Sequence, residues 1–211
     1  MQHACTVIIA ALPLITSTAI ARAQLKGIPV YCDANGGTGV SFAADVGFPS
    51  YNAGGGTAYG AAGSIGTGRL TVTGMAGVWS VSSSSQTWVG GTVAYRLVGG
   101  ELRLVTVAVQ AGYGATTSAA PAFAATLIPV GVSVAFKPPL FPLKPWIAPR
   151  MEFTRAEGST GQFRFSSGVN LDLARGLALH AAVDWGFGGS AWTRGAIWGV
   201  GAHFHFHGPT A

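Results

Sequence analysis

Apolar and small or polar residues alternate one by one along most of this chain. Val40, Phe42, Ala44, Val46 and Phe48 interleave with Ser41, Ala43, Asp45 and Gly47. Val105, Val107, Val109, Ala111 and Tyr113 interleave with Thr106, Ala108, Gln110 and Gly112, and Ile128 through Phe136 repeats the rhythm. Toward the end, Leu177, Leu179, Ala181, Val183, Trp185 and Phe187 oppose Ala178, His180, Ala182, Asp184 and Gly186. A period of two belongs to β-strands whose two faces meet different surroundings. Turn-forming residues divide the pattern into ten predicted strands, with eight as the fallback number. They fall near 38–48, 57–66, 69–79, 87–98, 102–114, 126–136, 146–155, 162–173, 177–187 and 196–206. Strands of about 10 residues match a tilted crossing of a bilayer.

The second face decides between a soluble sandwich and a membrane barrel. A soluble sheet turns Lys, Glu, Asp and Arg to water, whereas here the second face is mostly Gly, Ala, Ser and Thr. Small residues suit a crowded lumen, and the large apolar face suits lipid. The prediction is therefore an all-β fold, a single antiparallel up-and-down transmembrane barrel that leaves no open edge. Tight turns are expected at Gly66-Thr67-Gly68, Gly99-Gly100-Glu101 and Ala174-Arg175-Gly176. Longer loops are expected at 49–56, 80–86, 115–125, 156–161 and 188–195, with a stiff proline-rich link at 137–145. Short periplasmic turns facing longer outer loops are the habit of such barrels.

Composition narrows the classes further. Of the 211 residues only 9% are charged and 49% are hydrophobic. Soluble domains carry roughly 25% charge. The formal net charge is +5 without any Lys/Arg cluster, which argues against nucleic acid as a partner. Residues 1–23 read as a signal peptide, with an apolar stretch from Val7 to Ile15 and an Ala21-Arg22-Ala23 cleavage pattern. The expected organisation is a cleaved signal at 1–23, a periplasmic lead-in at 24–37, the barrel at 38–207 and a tail at 208–211. Cys5 leaves with the signal, so Cys32 has no partner for an internal disulfide.

Strand parity sends seven charged residues inward: Asp45, Arg96, Arg150, Glu152, Arg164, Asp172 and Asp184. Three positive and four negative groups nearly cancel, as in a paired network filling the interior. Aromatic residues at strand ends, Phe48, Tyr113, Phe136, Trp146, Phe163, Trp185, Phe187, Trp198 and Phe206, are expected to form interfacial girdles. His203, His205 and His207 share a strand face, with His180 on the neighbouring strand. That spacing makes them metal-ligand candidates, against the simpler reading of neutral lumenal histidines. No nucleophile, base and orienting group assemble, and no hydrolase or phosphate-loop motif occurs, so neither an enzyme nor a cofactor is expected.

The signal, the alternation, the hairpin rhythm and the aromatic-rich last strand together resemble the bacterial outer-membrane β-barrel families grouped around the OmpA-like and opacity-type proteins. The resemblance covers residues 36–207. Those families commonly end on a terminal aromatic read by the insertion machinery, and here Phe206 is followed by His207-Gly208-Pro209-Thr210-Ala211. The resemblance implies placement in the outer membrane of a Gram-negative cell, with lipid and the barrel insertion machinery as partners and a monomeric state. The expected role is structural or that of a narrow, weakly conducting pore. The alternative is a surface adhesin or recognition barrel working through its outer loops.

Overall fold

The computed structural model describes residues 27–29, 38–82, 84–100, 103–116, 125–139, 141–155, 159–173, 176–187 and 195–207. Ten strands and one short 3-10 turn, Tyr51–Ala53, make up the described elements. The strands are β1 (Gly39–Pro49), β2 (Thr57–Thr67), β3 (Leu70–Val81), β4 (Ser84–Val98) and β5 (Val105–Thr116). They continue as β6 (Thr126–Phe136), β7 (Leu143–Arg155), β8 (Ser159–Asp172), β9 (Leu177–Phe187) and β10 (Gly195–His207). Each pairs antiparallel with its sequence neighbours, and β1 closes the barrel against β10. That seam runs without a register shift from Gly39 opposite His207 to Pro49 opposite Ile197. Closure pairs the backbone of both terminal strands and removes the free edges that lipid would penalise.

Side-chain alternation then sorts the residues. Phe42, Phe48, Tyr59, Ile65, Phe163, Trp198, Val200 and Phe206 are exposed on the outer surface. Asp45, Trp79, Trp88, Thr106, Ser133, Arg150, Gln162, Ser166, Asn170, His180 and Asp184 are buried inside. Water-facing strands with this polarity would be inside out; against hydrocarbon the arrangement buries each face in its matching medium.

Four connections depart from the sequence reading, among them the proline-rich link, which spans 137–142 because β7 begins at Leu143. Val81 and Ser84 are separated by a two-residue hairpin turn where a loop over 80–86 was expected. Ser82 takes φ 52 there, a left-handed conformation supplied by a serine, so the Gly or Asn that usually marks such a turn is missing. The turn predicted at Gly99-Gly100-Glu101 spans 99–104, and the loop predicted at 156–161 shrinks to 156–158. The barrel end bearing 50–56, 117–125 and 188–194 still carries the three longest connections. We call this the loop end, and the end with Gly39 and His207 the turn end.

The predicted signal at 1–23, Cys32 and the tail at 208–211 lie outside the described residues. Of the predicted periplasmic lead-in, 24–37, the described residues are Gly27, Ile28 and Pro29. They lie inside the barrel at the loop end. A Cβ on Gly47 of β1 would overlap the Gly27 carbonyl oxygen and approach the Ile28 Cα, so the missing side chain is what leaves them room.

Candidate functional site

Four of the seven inward charges meet on the wall formed by β7, β8 and β9. Cross-strand register brings Arg150 opposite Arg164 and Ser166 opposite Asp184. Two like charges facing each other would repel, and Asp184 resolves the conflict by holding both. Arg150 donates to it through two nitrogens, at 2.9 and 2.7 Å, in the forked geometry that suits a carboxylate. Arg164 donates from Nε at 2.9 Å and from Nη2 at 2.7 Å. The Ser166 hydroxyl donates to Asp184 at 2.9 Å and accepts from Arg150 at 2.5 Å. Glu152 lies 3.7 Å from Arg150 and 3.8 Å from Arg164, so two guanidiniums face two carboxylates and the formal charge cancels. Arg150 and Asp184 side chains are wholly buried. Arg150, Arg164 and Asp184 persist at this depth because each is paired and hydrogen-bonded, whereas Glu152 Oε2 is held by the two ion pairs without a hydrogen bond.

The other three predicted charges stand apart. Asp45 on β1 bonds His180 on β9 at 2.5 Å although β10 lies between them. Register puts Gly201 of β10 opposite both, and a Cβ there would run into the Asp45 carboxylate and the His180 ring. The glycine is the gap through which the two side chains touch. Arg96 donates to the Gly68 carbonyl at 2.8 Å on the turn-end rim. Asp172, at the same end, pairs with Lys144, a residue the sequence reading did not single out.

His203 stacks on His180 with ring centroids 5.5 Å apart and Nδ1 to Nδ1 at 3.2 Å. One ring donates to the other, which requires at least one of the two nitrogens to carry a proton. His205 also faces inward, beside Gly39. The side chain of His207 is outside the described set. Among the described residues no three His, Cys, Asp or Glu side chains converge as a metal site. Of the predicted metal set, His180 and His203 thus form a stacked, hydrogen-bonded pair in the lumen, with His205 two residues further along β10.

Of the predicted girdle, Phe48, Phe136, Phe163, Phe187, Trp198 and Phe206 are exposed on the outer face, and Tyr113 and Trp185 lie there half-buried. Trp146 is a correction. It shares parity with Arg150 and Glu152 on β7, so it points inward, where Gly168 makes room for its ring and Asn170 accepts from its Nε1 at 3.1 Å. Two further inward tryptophans went unnoticed. Trp88 lies eight positions before Arg96 on one strand and so shares its face, a signal present in the sequence. Trp79 on β3 shares its face with Met75 in the same way. Together with Ile28, Ala58 and Leu127 they form an apolar cluster at the loop end.

No protein-family model and no curated protein sequence matches the chain. Solved structures do. The β domain of the Bordetella autotransporter BrkA aligns at 13% identity and TM-score 0.52 over 80% of this chain and 100% of its own. The N-terminal β-barrel domain of Pseudomonas aeruginosa OprF aligns at 13% identity and TM-score 0.44, over 82% of this chain and 100% of its own. A de novo designed transmembrane β-barrel aligns at 14% identity and TM-score 0.39, over 87% and 98%. The fold is that of the small outer-membrane β-barrels.

Proposed function

We propose that this chain is an outer-membrane β-barrel protein whose role is structural or that of a narrow, weakly conducting channel. The observation that carries the reading is the Asp184 cluster. Side chains from two strands meet on one carboxylate of a third, inside a barrel only slightly wider than the eight-strand size that side chains can fill. A lumen crossed by fixed, paired charges leaves little continuous water, and what remains has no net excess of either sign. In this reading the partners are lipid and the barrel insertion machinery, and no catalytic step is involved. Ser166 is held by Asp184 and Arg150, and a guanidinium is no general base. The surface-recognition alternative would rest on the outer loops, where Tyr51 is 95% exposed. Among the described residues of those loops it is the one aromatic, and a single anchor is a weak basis for recognition.

Fractionation followed by gel mobility with and without boiling tests the placement. The unboiled protein should travel with outer membranes and migrate faster than its boiled form. Planar-bilayer recording tests the role, with small or flickering events expected. Large, stable, unselective conductance would defeat the narrow-channel reading.

A further inference from the structure

We propose that the apolar cage at the loop end of the lumen is a binding site for the chain's own residues 27–29, and that these residues close the barrel. The inference rests on the narrow-barrel reading above only for its second half. The cage is built from Ala58 on β2, Trp79 on β3, Trp88 on β4 and Leu127 on β6, with Met75, Val81 and Ala125 packed beside them. Each lies near the loop end of its strand, and together they make the lumen wall apolar where a water-filled pore would want polar groups. Ile28 occupies the cage and is 4% exposed, as buried as a core residue. Without it, an apolar hollow lined by two indoles would face water. That cost gives the segment a reason to stay.

The seat is specific as well as apolar. The backbone of Gly27 and Ile28 lies against Gly47, where any Cβ would collide with it. Gly27 in turn has φ +86, and a Cβ there would come within 2.8 Å of the Ala58 Cβ and 3.1 Å of Trp79 Cδ1. Close approach thus needs a glycine on both sides, which general apolar collapse would not require. The Trp79 indole is itself held, donating to the Gly55 carbonyl at 2.9 Å. Chain length permits the arrangement. Gly39 begins β1 at the turn end, and the run from Gly39 to Gly47 rises about 26 Å. The nine steps from Pro29 to Thr38 can reach about 30 Å.

A disulfide pair tests occupancy directly. In a Cys32→Ser background, Ile28→Cys with Ala58→Cys, which keeps both glycines, should form an intramolecular disulfide in the folded barrel, read as loss of maleimide labelling that returns on reduction. Ile28→Cys with Leu127→Cys serves as a second pair should the first not fold. Ile28→Cys with Ser41→Cys, at opposite ends, should leave both thiols labelled. Free thiols in both loop-end pairs, within a barrel that still shows the heat-dependent gel shift, would overturn the seat.

Conductance tests the closing role. Gly47→Val, which fills the seat, and a chain lacking residues 27–29 should both show long-lived openings absent from the unmodified protein. Unchanged conductance in both, with the disulfide formed, would overturn closure and leave the seat. Large conductance in the unmodified protein with the disulfide formed would instead count against the narrow-channel reading.

Discussion

Two regions of the lumen, both toward the loop end, are filled in opposite ways. On the β7–β9 wall, long charged side chains reach across to one another, and Asp184 alone accepts from Arg150, Arg164 and Ser166. On the β1–β4 wall the inward positions include Gly47, Ala58, Gly60, Ala62 and Gly77, too small to meet at the centre. There the filling comes from two tryptophans and from Ile28, a residue outside the barrel strands. The difference is one of directionality. A charged cluster holds only while every partner is present, because an orphaned charge in a dry lumen is heavily penalised. An apolar cage loses stability in proportion to the surface and volume removed.

The strongest way to break this comparison is Asp184→Ala. It leaves two buried guanidiniums facing each other and should cost about 3–5 kcal/mol in denaturant titrations of the barrel in lipid vesicles. Replacing Arg150, Glu152, Arg164 and Asp184 together with apolar residues of similar volume should cost far less than the single change. A fourfold variant as unstable as Asp184→Ala would mean that the cluster is no more cooperative than the cage.

Next in size is Trp88→Ala, which opens a void in the cage and should cost about 3–4 kcal/mol in the same titration. Combined with Asp184→Ala, the two losses should add to within about 0.5 kcal/mol if the regions are independent. A large departure from additivity would merge them into one core.

Gly201→Ala probes the Asp45–His180 contact, which reaches across β10. Its methyl group would push Asp45 and His180 apart, and a loss of about 1–3 kcal/mol is expected from overpacking. Ala202→Gly, on the outer face of the same strand, is the control for backbone effects, and an equal loss there would remove the role assigned to the gap. The smallest effect is expected at the rim. Lys144→Ala should cost under about 1 kcal/mol, because its pair with Asp172 is partly open to solvent. A larger loss would extend the buried-cluster behaviour to the turn end.

The strand pattern was legible because period-two alternation is a local property, and ten strands follow from it within a few residues at each boundary. The same parity put Arg150, Glu152, Arg164 and Asp184 on one side of the sheet. Trp146 was assigned to a girdle from its place at a strand end, although its parity with Arg150 already directed it inward. Where the turn chemistry was atypical, as with a serine at φ 52 in the Val81–Ser84 hairpin, the local signal misled. The lead-in at 24–37 carried no pattern at all, and nothing local indicates that Ile28 belongs in a lumen.

The sequence by itself therefore determined what each residue's immediate backbone dictates: strand or turn, inward or outward, apolar or polar. Tertiary structure alone decided which inward residues meet. Asp45 and His180 are 135 positions apart and touch across Gly201 because the barrel closes and a glycine leaves the way open. Asp184 gathers Arg150 and Arg164 because register sets three strands side by side at one height. Ile28 sits against Trp79 because two glycines, at 27 and 47, let one backbone rest on another. Such contacts depend on closure, register and the absence of a side chain at a distant position, none of which is encoded in the neighbours of the residue concerned.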